Sequence, residues 1–488
     1  MRIMPFGSLP PEIVLIILES TDDITVLRDF CLVSKRFRPL AQRLLYREIT
    51  LNPLDLSLSL FLLLRTFTCC PLLAAEVQYL DIDTDTGSAA VADQKSIADA
   101  GTRFGLSGAD TGLLTQDAQE LIHSIQPPIS TGIWTDDASV LPALLLSRTP
   151  NLKHLVISMD QRSLAILVAL ATPVQRNGNS RHTTLLSCID SLECLYLDCV
   201  QDSHGSEIQI SDIALLLSLL QQLKELRISN CTGYNNNTQI ISNPTYPLTT
   251  IDLLPNTLPL STLSFRESHV DPADIATLVA SCKELASFYC AVCEPIFLQI
   301  YYSLLSCQRR SLKDLRLSCE SDSDSASGPV TPEPEPELEP APKVPVHHGS
   351  LQEFTSMEFL SLDQALLGEN PLLPTSLRHL AIRNCQRPIL PTLAFLAALA
   401  MDGQLPELGM ISLHTDISYP GGMLDLPRRG ATDLLFDEAC SGLRRCLLGT
   451  GILLRFDSNL LDKTVEGYDF AHRFGADGVV WPFIYLRG

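Results

Sequence analysis

A chain of 488 residues can hold two or three average domains or one extended array, and 45% hydrophobic residues supply a core of that size. Its formal net charge of −21 opposes non-specific attachment to nucleic-acid phosphates. The longest apolar run, residues 54–64, carries Asp55, Ser57 and Ser59 and ends at Arg65, which is too short and too polar to span a bilayer. Neither nucleic acid nor membrane is therefore expected as a partner. No apolar run precedes a small-residue cleavage site at the N-terminus, so the expected location is cytoplasmic and/or nuclear. The fifteen cysteines are then expected as reduced thiols, and the two glycosylation sequons at Asn230 and Asn236 as idle.

Pro10 and Pro11 cannot sit inside a helix but suit its start, with Ser8 as the cap ahead of them. Apolar Ile13, Val14, Ile16, Ile17 and Leu18 then predict a short helix. The Thr21-Asp22-Asp23 run caps a second helix near 24–32, and Ser34 caps a third near 35–46. Three such helices bury little surface alone, so this much apolar surface points to docking onto something else.

Residues 8–50 resemble an F-box. The resemblance rests on Leu9-Pro10-x-Glu12-Ile13-Val14-x-x-Ile17-Leu18, then Leu27, then Val33-Ser34-Lys35-Arg36-Phe37 and Leu40. Ser34 stands where the family has cysteine, and Phe37 fills the aromatic position. The resemblance implies docking to the Skp-type adaptor of cullin-based ubiquitin ligases. Leu9, Pro10, Glu12, Ile13, Val14, Ile17, Leu18, Val33 and Phe37 would form or support that contact. The competing reading is an unrelated helical cap on the domain that follows.

Residues 51–76 read as a helical linker, with one helix at 56–68 and a short second one opened by Pro71. Beyond it the template L-x-x-L-x-L recurs ten times, starting at Val77, Leu152, Leu192, Leu223, Leu260, Leu285, Leu312, Met357, Leu377 and Leu408. The starts from Leu192 to Leu312 lie 31, 37, 25 and 27 residues apart. Cys231, Cys293 and Cys385 stand at the ninth position of their copies, and Cys199 and Cys319 one residue earlier. This pattern is similar to the cysteine-containing leucine-rich repeat. Each copy predicts a short strand with its fourth and sixth residues inward, a turn at the ninth and a returning helix. Such helices are expected at 213–223, 272–282 and 393–401.

Three stretches read as loops: 84–115, 232–245 and the acidic insertion 320–348. Residues 320–339 hold seven acidic residues and no basic one, and cannot bury enough to fold. The tail, 433–488, reads as a terminal cap with a helix at 434–447, a strand at 451–456 and an apolar run around Trp481.

Nucleotide-binding glycine motifs, a G-x-S-x-G and an H-E-x-x-H are absent from the sequence. Cys290-x-x-Cys293 is explained by inward and turning positions of one template, while Cys307, Cys440 and Cys446 read as core. No catalytic residue, metal or cofactor is assigned. Outward strand positions remain: Cys194, Tyr196, Glu225, Arg227, Thr262, Ser264, Ser287, Tyr289, Asp314, Arg316 and His379. Of these, Tyr196, Arg227, Tyr289 and Arg316 are the substrate-anchor candidates, because tyrosine and arginine dominate interface energetics.

The expected architecture is an all-α three-helix F-box followed by an irregular α/β leucine-rich-repeat solenoid at 77–432. The expected role is that of a non-enzymatic substrate adaptor in an SCF-type ubiquitin ligase, joining a Skp-type adaptor, and through it a cullin, to a substrate protein. The alternative is a leucine-rich-repeat scaffold with no ligase role.

Overall fold

The computed structural model describes residues 9–51, 56–82, 140–171, 188–200, 208–231, 253–318, 350–415 and 444–458, together with residues 112, 116 and 442. Asp22, Glu267, His269, 292–293, Glu369 and 386–388 are excepted. The stretches read as loops at 84–115 (residue 112 apart), 232–245 and 320–348, like Cys293, Cys319, Cys440 and Trp481, lie outside the described residues. The chain forms two compact units, one of Met1–Ala291 with Pro295–Gln308, the other of Val292–Glu294 with Arg309–Gly488.

The first unit opens with α1 (Pro11–Glu19), α2 (Ile24–Val33) and α3 (Arg38–Leu45). Pro10 occupies the cap position of α1 without a side-chain bond, and Ser8, the expected cap, lies outside the described residues. Asp23 does cap α2, accepting from the Thr25 N–H at 2.8 Å. Ser34 ends α2 rather than starting α3. Its carbonyl accepts from the N–H groups of Phe37 and Arg38 at 3.1 and 2.9 Å, which turns the chain into α3. The three helices close over Val14, Leu18, Leu27, Phe37 and Ala41, with Leu9, Phe30, Cys31 and Leu40 packed around them.

Strand β1 (Glu48–Thr50) follows α3 almost at once and pairs in parallel with β2 (Tyr79–Ile82). The sheet therefore begins one strand before the first L-x-x-L-x-L match. The pattern passed over β1 because Tyr46 fills its first template position. The helices of the expected linker, α4 (Leu56–Cys69) and α5 (Pro71–Ala74), thus form the crossover between two strands, which parallel pairing requires.

The unit continues with α6 (Val140–Arg148), β3 (His154–Met159), α7 (Gln161–Ala171), β4 (Cys194–Cys199), α8 (Ile210–Leu219) and β5 (Glu225–Ser229). It ends with β6 (Thr262–Arg266), α9 (Pro272–Ser281), β7 (Ser287–Ala291) and α10 (Glu294–Gln308). Each strand from β1 to β7 pairs in parallel with the next, and the fourth and sixth template residues fall in register: Leu80 on Leu155, Leu155 on Leu195, Leu226 on Leu263. These side chains are all buried, so each repeat covers its neighbour's apolar row.

The second unit repeats the scheme with β8 (Asp314–Ser318), β9 (Phe359–Asp363), α11 (Gln364–Leu367), β10 (His379–Arg383), α12 (Leu390–Met401), β11 (Met410–Thr415) and β12 (Leu453–Ser458). These strands also pair in parallel in chain order. β12 lies inside the expected terminal cap, yet it pairs along its length with β11 as a further repeat strand. The chain is thus an N-terminal helical region followed by parallel strands with helical crossovers, an α/β arrangement of solenoid type.

The ninth-position cysteines have a structural cause. Asn230 and Asn384, just before Cys231 and Cys385, adopt left-handed φ values of 56° and 47°, which asparagine tolerates better than most residues. That turn buries both thiols. The Cys231 N–H donates to Ser268 Oγ at 3.2 Å and the Cys385 N–H to the His414 carbonyl at 3.2 Å, in each case on the next repeat. Cys307 departs from expectation: it is exposed and Cys446 half-buried. The inward face of α10 is made by Ile300, Tyr301, Leu304 and Gln308, and position 307 falls off that face.

Candidate functional site

The helical region presents an apolar surface that its own core leaves uncovered. On α1, Val14 and Leu18 point inward, while Ile13, Ile16 and Ile17 point to solvent, with Ile16 61% exposed. On α2, Leu32 and Val33 are 74% and 82% exposed, and Ile24 is exposed at the other end. Exposed aliphatics at this density, on helices this short, make this the candidate docking surface. Among the residues expected to form or support an adaptor contact, Val14, Leu18 and Phe37 lie in the internal core, because a helix in a three-helix cluster must turn one stripe inward. Pro10, Glu12, Ile13, Ile17 and Val33 are exposed, and Leu9 packs partly against the core. Ile16, Ile24 and Leu32 were not among the candidates; their apolar character was the available signal. Arg36 reaches across from the α2–α3 turn to donate to the Leu9 carbonyl at 2.9 Å, which fixes the start of α1.

The second candidate surface is the outward face of the strands. In the first unit Tyr196, Arg227, Ser264 and Tyr289 stand in one row, each beside the next. Arg316 holds the matching template position in β8 of the second unit. The two arginines expected as anchors are already engaged. Arg227 Nε donates to Glu225 Oε1 at 2.6 Å and its guanidinium carbon lies 4.5 Å from the Tyr196 ring centre. Arg316 donates to both oxygens of Asp314, at 3.1 and 2.9 Å, and lies 4.7 Å from the centre of the Phe359 ring. Residues two apart in a strand share a face, so an acid at the third template position meets the arginine at the fifth. Both guanidinium groups are held rigid and partly neutralised.

Acidic neighbours also shape the first unit's face. Burial pushes the Cys194 thiol up to about 12, reinforced by Glu225 and Glu193. Tyr79 is raised by burial and by Asp81, to which its hydroxyl donates at 3.4 Å. Burial pushes the Cys188, Cys282 and Cys385 thiols up to about 12. These thiols stay protonated at neutral pH and are weak nucleophiles. Among the described residues no cysteine is in a disulfide, and no group of three or more His, Cys, Asp or Glu is placed to hold a metal ion. No described helix is long and apolar enough to cross a membrane.

In the second unit His379 Nε2 lies 2.9 Å from Ser412 Oγ, and the imidazole meets Phe359 edge-on at 4.7 Å. Burial first, then His414, Arg316 and Arg455, push its pKa down to about 4. Above pH ~6.5 the imidazole is neutral whether folded or unfolded. As pH falls from there towards 4, only the unfolded chain takes up the proton, so stability drops across that window. After allowance for its partial exposure, the expected loss is about 1–2 kcal/mol. Denaturant midpoints at pH 7 and 4.5 should therefore differ less in His379→Gln than in the parent chain. An equal difference in both would place the effect on other groups.

No protein-family model matches the chain, and no curated protein matches it.

Proposed function

We propose that the chain is a substrate-recognition adaptor of a cullin-based, SCF-type ubiquitin ligase. Its N-terminal helices act as an F-box that docks a Skp-type adaptor, and leucine-rich repeats bind the protein to be modified. The observation that carries this reading is the uncovered aliphatic surface of α1 and α2, on the residues that bear the F-box resemblance. The strand face supports the second half, with Tyr196, Arg227 and Tyr289 in one row of the first unit. The chain itself performs no chemistry in this reading. Holding a substrate near a ligase subunit raises its effective concentration, and that suffices to direct transfer.

The test is affinity capture of the intact chain, with the co-purifying proteins identified. A Skp-type protein and a cullin are expected together. Recovery of other partners without either would favour a leucine-rich-repeat scaffold.

A further inference from the structure

Among the described residues, one cation on the strand face of the first unit, Arg266, has no acid to neutralise it. Arg227 is paired with Glu225, and Lys224 with Glu193 at 2.6 Å. Arg266, the last residue of β6, makes no ion pair, and its Nε is buried without a hydrogen-bond partner. Its guanidinium carbon stands 5.7 Å from the centre of the Tyr289 ring.

The surroundings form a shallow receptor. Ser264, two residues earlier on the same face, is the floor and is only 5% exposed. Arg227 flanks Ser264 on the β5 side and Tyr289 on the β7 side. Ser229 stands beside Arg266 in register, and Thr262 lies between Glu225 and Ser287. Among the described residues, the carboxylates of the neighbouring strands are occupied. Glu225 is taken by Arg227, and Asp198 accepts from Asn230 at 2.7 Å and from Ser158 at 3.3 Å.

A half-buried guanidinium loses hydration that a counter-charge normally restores. With Nε closed off, the two terminal nitrogens are the edge left for a partner, and that edge matches the fork of a carboxylate. We infer that Arg266, set between Arg227, Ser264 and Tyr289, receives an aspartate or glutamate carboxylate from an acidic segment of the protein that the strand face binds. The biological identity of that protein as a ligase substrate rests on the function proposed above; the receptor itself does not.

The test uses the full chain and a fluorescent twelve-residue Gly/Ser peptide with three central glutamates, beside its triple-glutamine and triple-phosphoserine counterparts. The glutamate peptide should bind at least about tenfold more tightly than the glutamine one, and the margin should shrink as salt rises. Arg266→Gln should erase that margin, Arg266→Lys should restore part of it, and Arg445→Gln, at an exposed position of the second unit, should leave it intact. Thermal melts of each variant exclude simple unfolding. Equal binding of glutamate and glutamine peptides, or a margin that survives Arg266→Gln, overturns the inference. Binding of the phosphoserine peptide alone overturns the carboxylate assignment. Capture of the Skp-type adaptor is scored on the same proteins. Lost capture with an intact peptide margin removes the ligase reading and leaves this receptor standing; the converse removes only the receptor.

Discussion

Replacing Ile16 and Val33 together by aspartate should weaken capture of a Skp-type adaptor at least about a hundredfold while leaving the thermal midpoint unchanged. Both side chains are largely exposed, so the folded chain gives up little by their loss. At an interface each would bury about 1.5–3 kcal/mol of apolar surface, and about 1.4 kcal/mol is a factor of ten in affinity. The introduced carboxylates would add a desolvation cost on top. Leu18→Ala is the contrasting variant. Leu18 is fully buried in the three-helix core, so truncation should cost about 2–5 kcal/mol of stability and lose capture through unfolding. Pull-down of a Skp-type adaptor, with melting curves run in parallel, separates the two routes. Unchanged capture by the double aspartate variant removes the ligase reading and leaves the scaffold.

Gln308→Leu should destabilise the first unit by about 2–4 kcal/mol, despite matching a buried position with an apolar side chain of similar size. Gln308 is buried at the end of α10, where its Oε1 accepts from the Leu285 N–H at 3.0 Å. Its Nε2 donates to the carbonyls of Val279 and Cys282 at 3.1 and 2.9 Å. One side chain thus satisfies backbone groups at the end of α9 and at the entry to β7. Leucine fills the space but leaves the Leu285 N–H and the Cys282 carbonyl without these partners, and a buried unpaired group costs about 1–3 kcal/mol. Equilibrium denaturation measures the change. A shift below about 0.5 kcal/mol would mean that water or backbone adjustment replaces the amide.

The repeat strands were legible because their signal is local and repeated. An inward leucine at the fourth and sixth positions is a period-two pattern, and parallel stacking places every copy against the next. All ten matches became strands, in register from Tyr79–Ile82 to Ser287–Ala291 in the first unit and from Asp314–Ser318 to Met410–Thr415 in the second. β1 escaped because Tyr46 broke the pattern at its first position. The three helices were legible for the same reason, but their caps were not. Ser34 reads equally well as the end of one helix or the start of the next, and only packing of Phe37 into the core decided between them.

Residue identity and spacing alone determined that this chain has a short helical region, then strand–helix repeats, and that Cys231 and Cys385 sit at turning positions. The tertiary structure decided which atoms are left for a partner. Val14 and Ile13 are neighbours in sequence and look alike, yet the core takes one and leaves the other to solvent. Arg227 and Arg316 hold the fifth template position, two residues after an acid, and Arg266 the seventh; packing closes off the Nε of Arg266 and sets it beside the Tyr289 ring. Gln308 reads as an ordinary polar helix end until α9 and β7 close around it. In each case the deciding interaction joins parts of the chain whose approach depends on the packed fold, or depends on which polar groups that packing deprives of water.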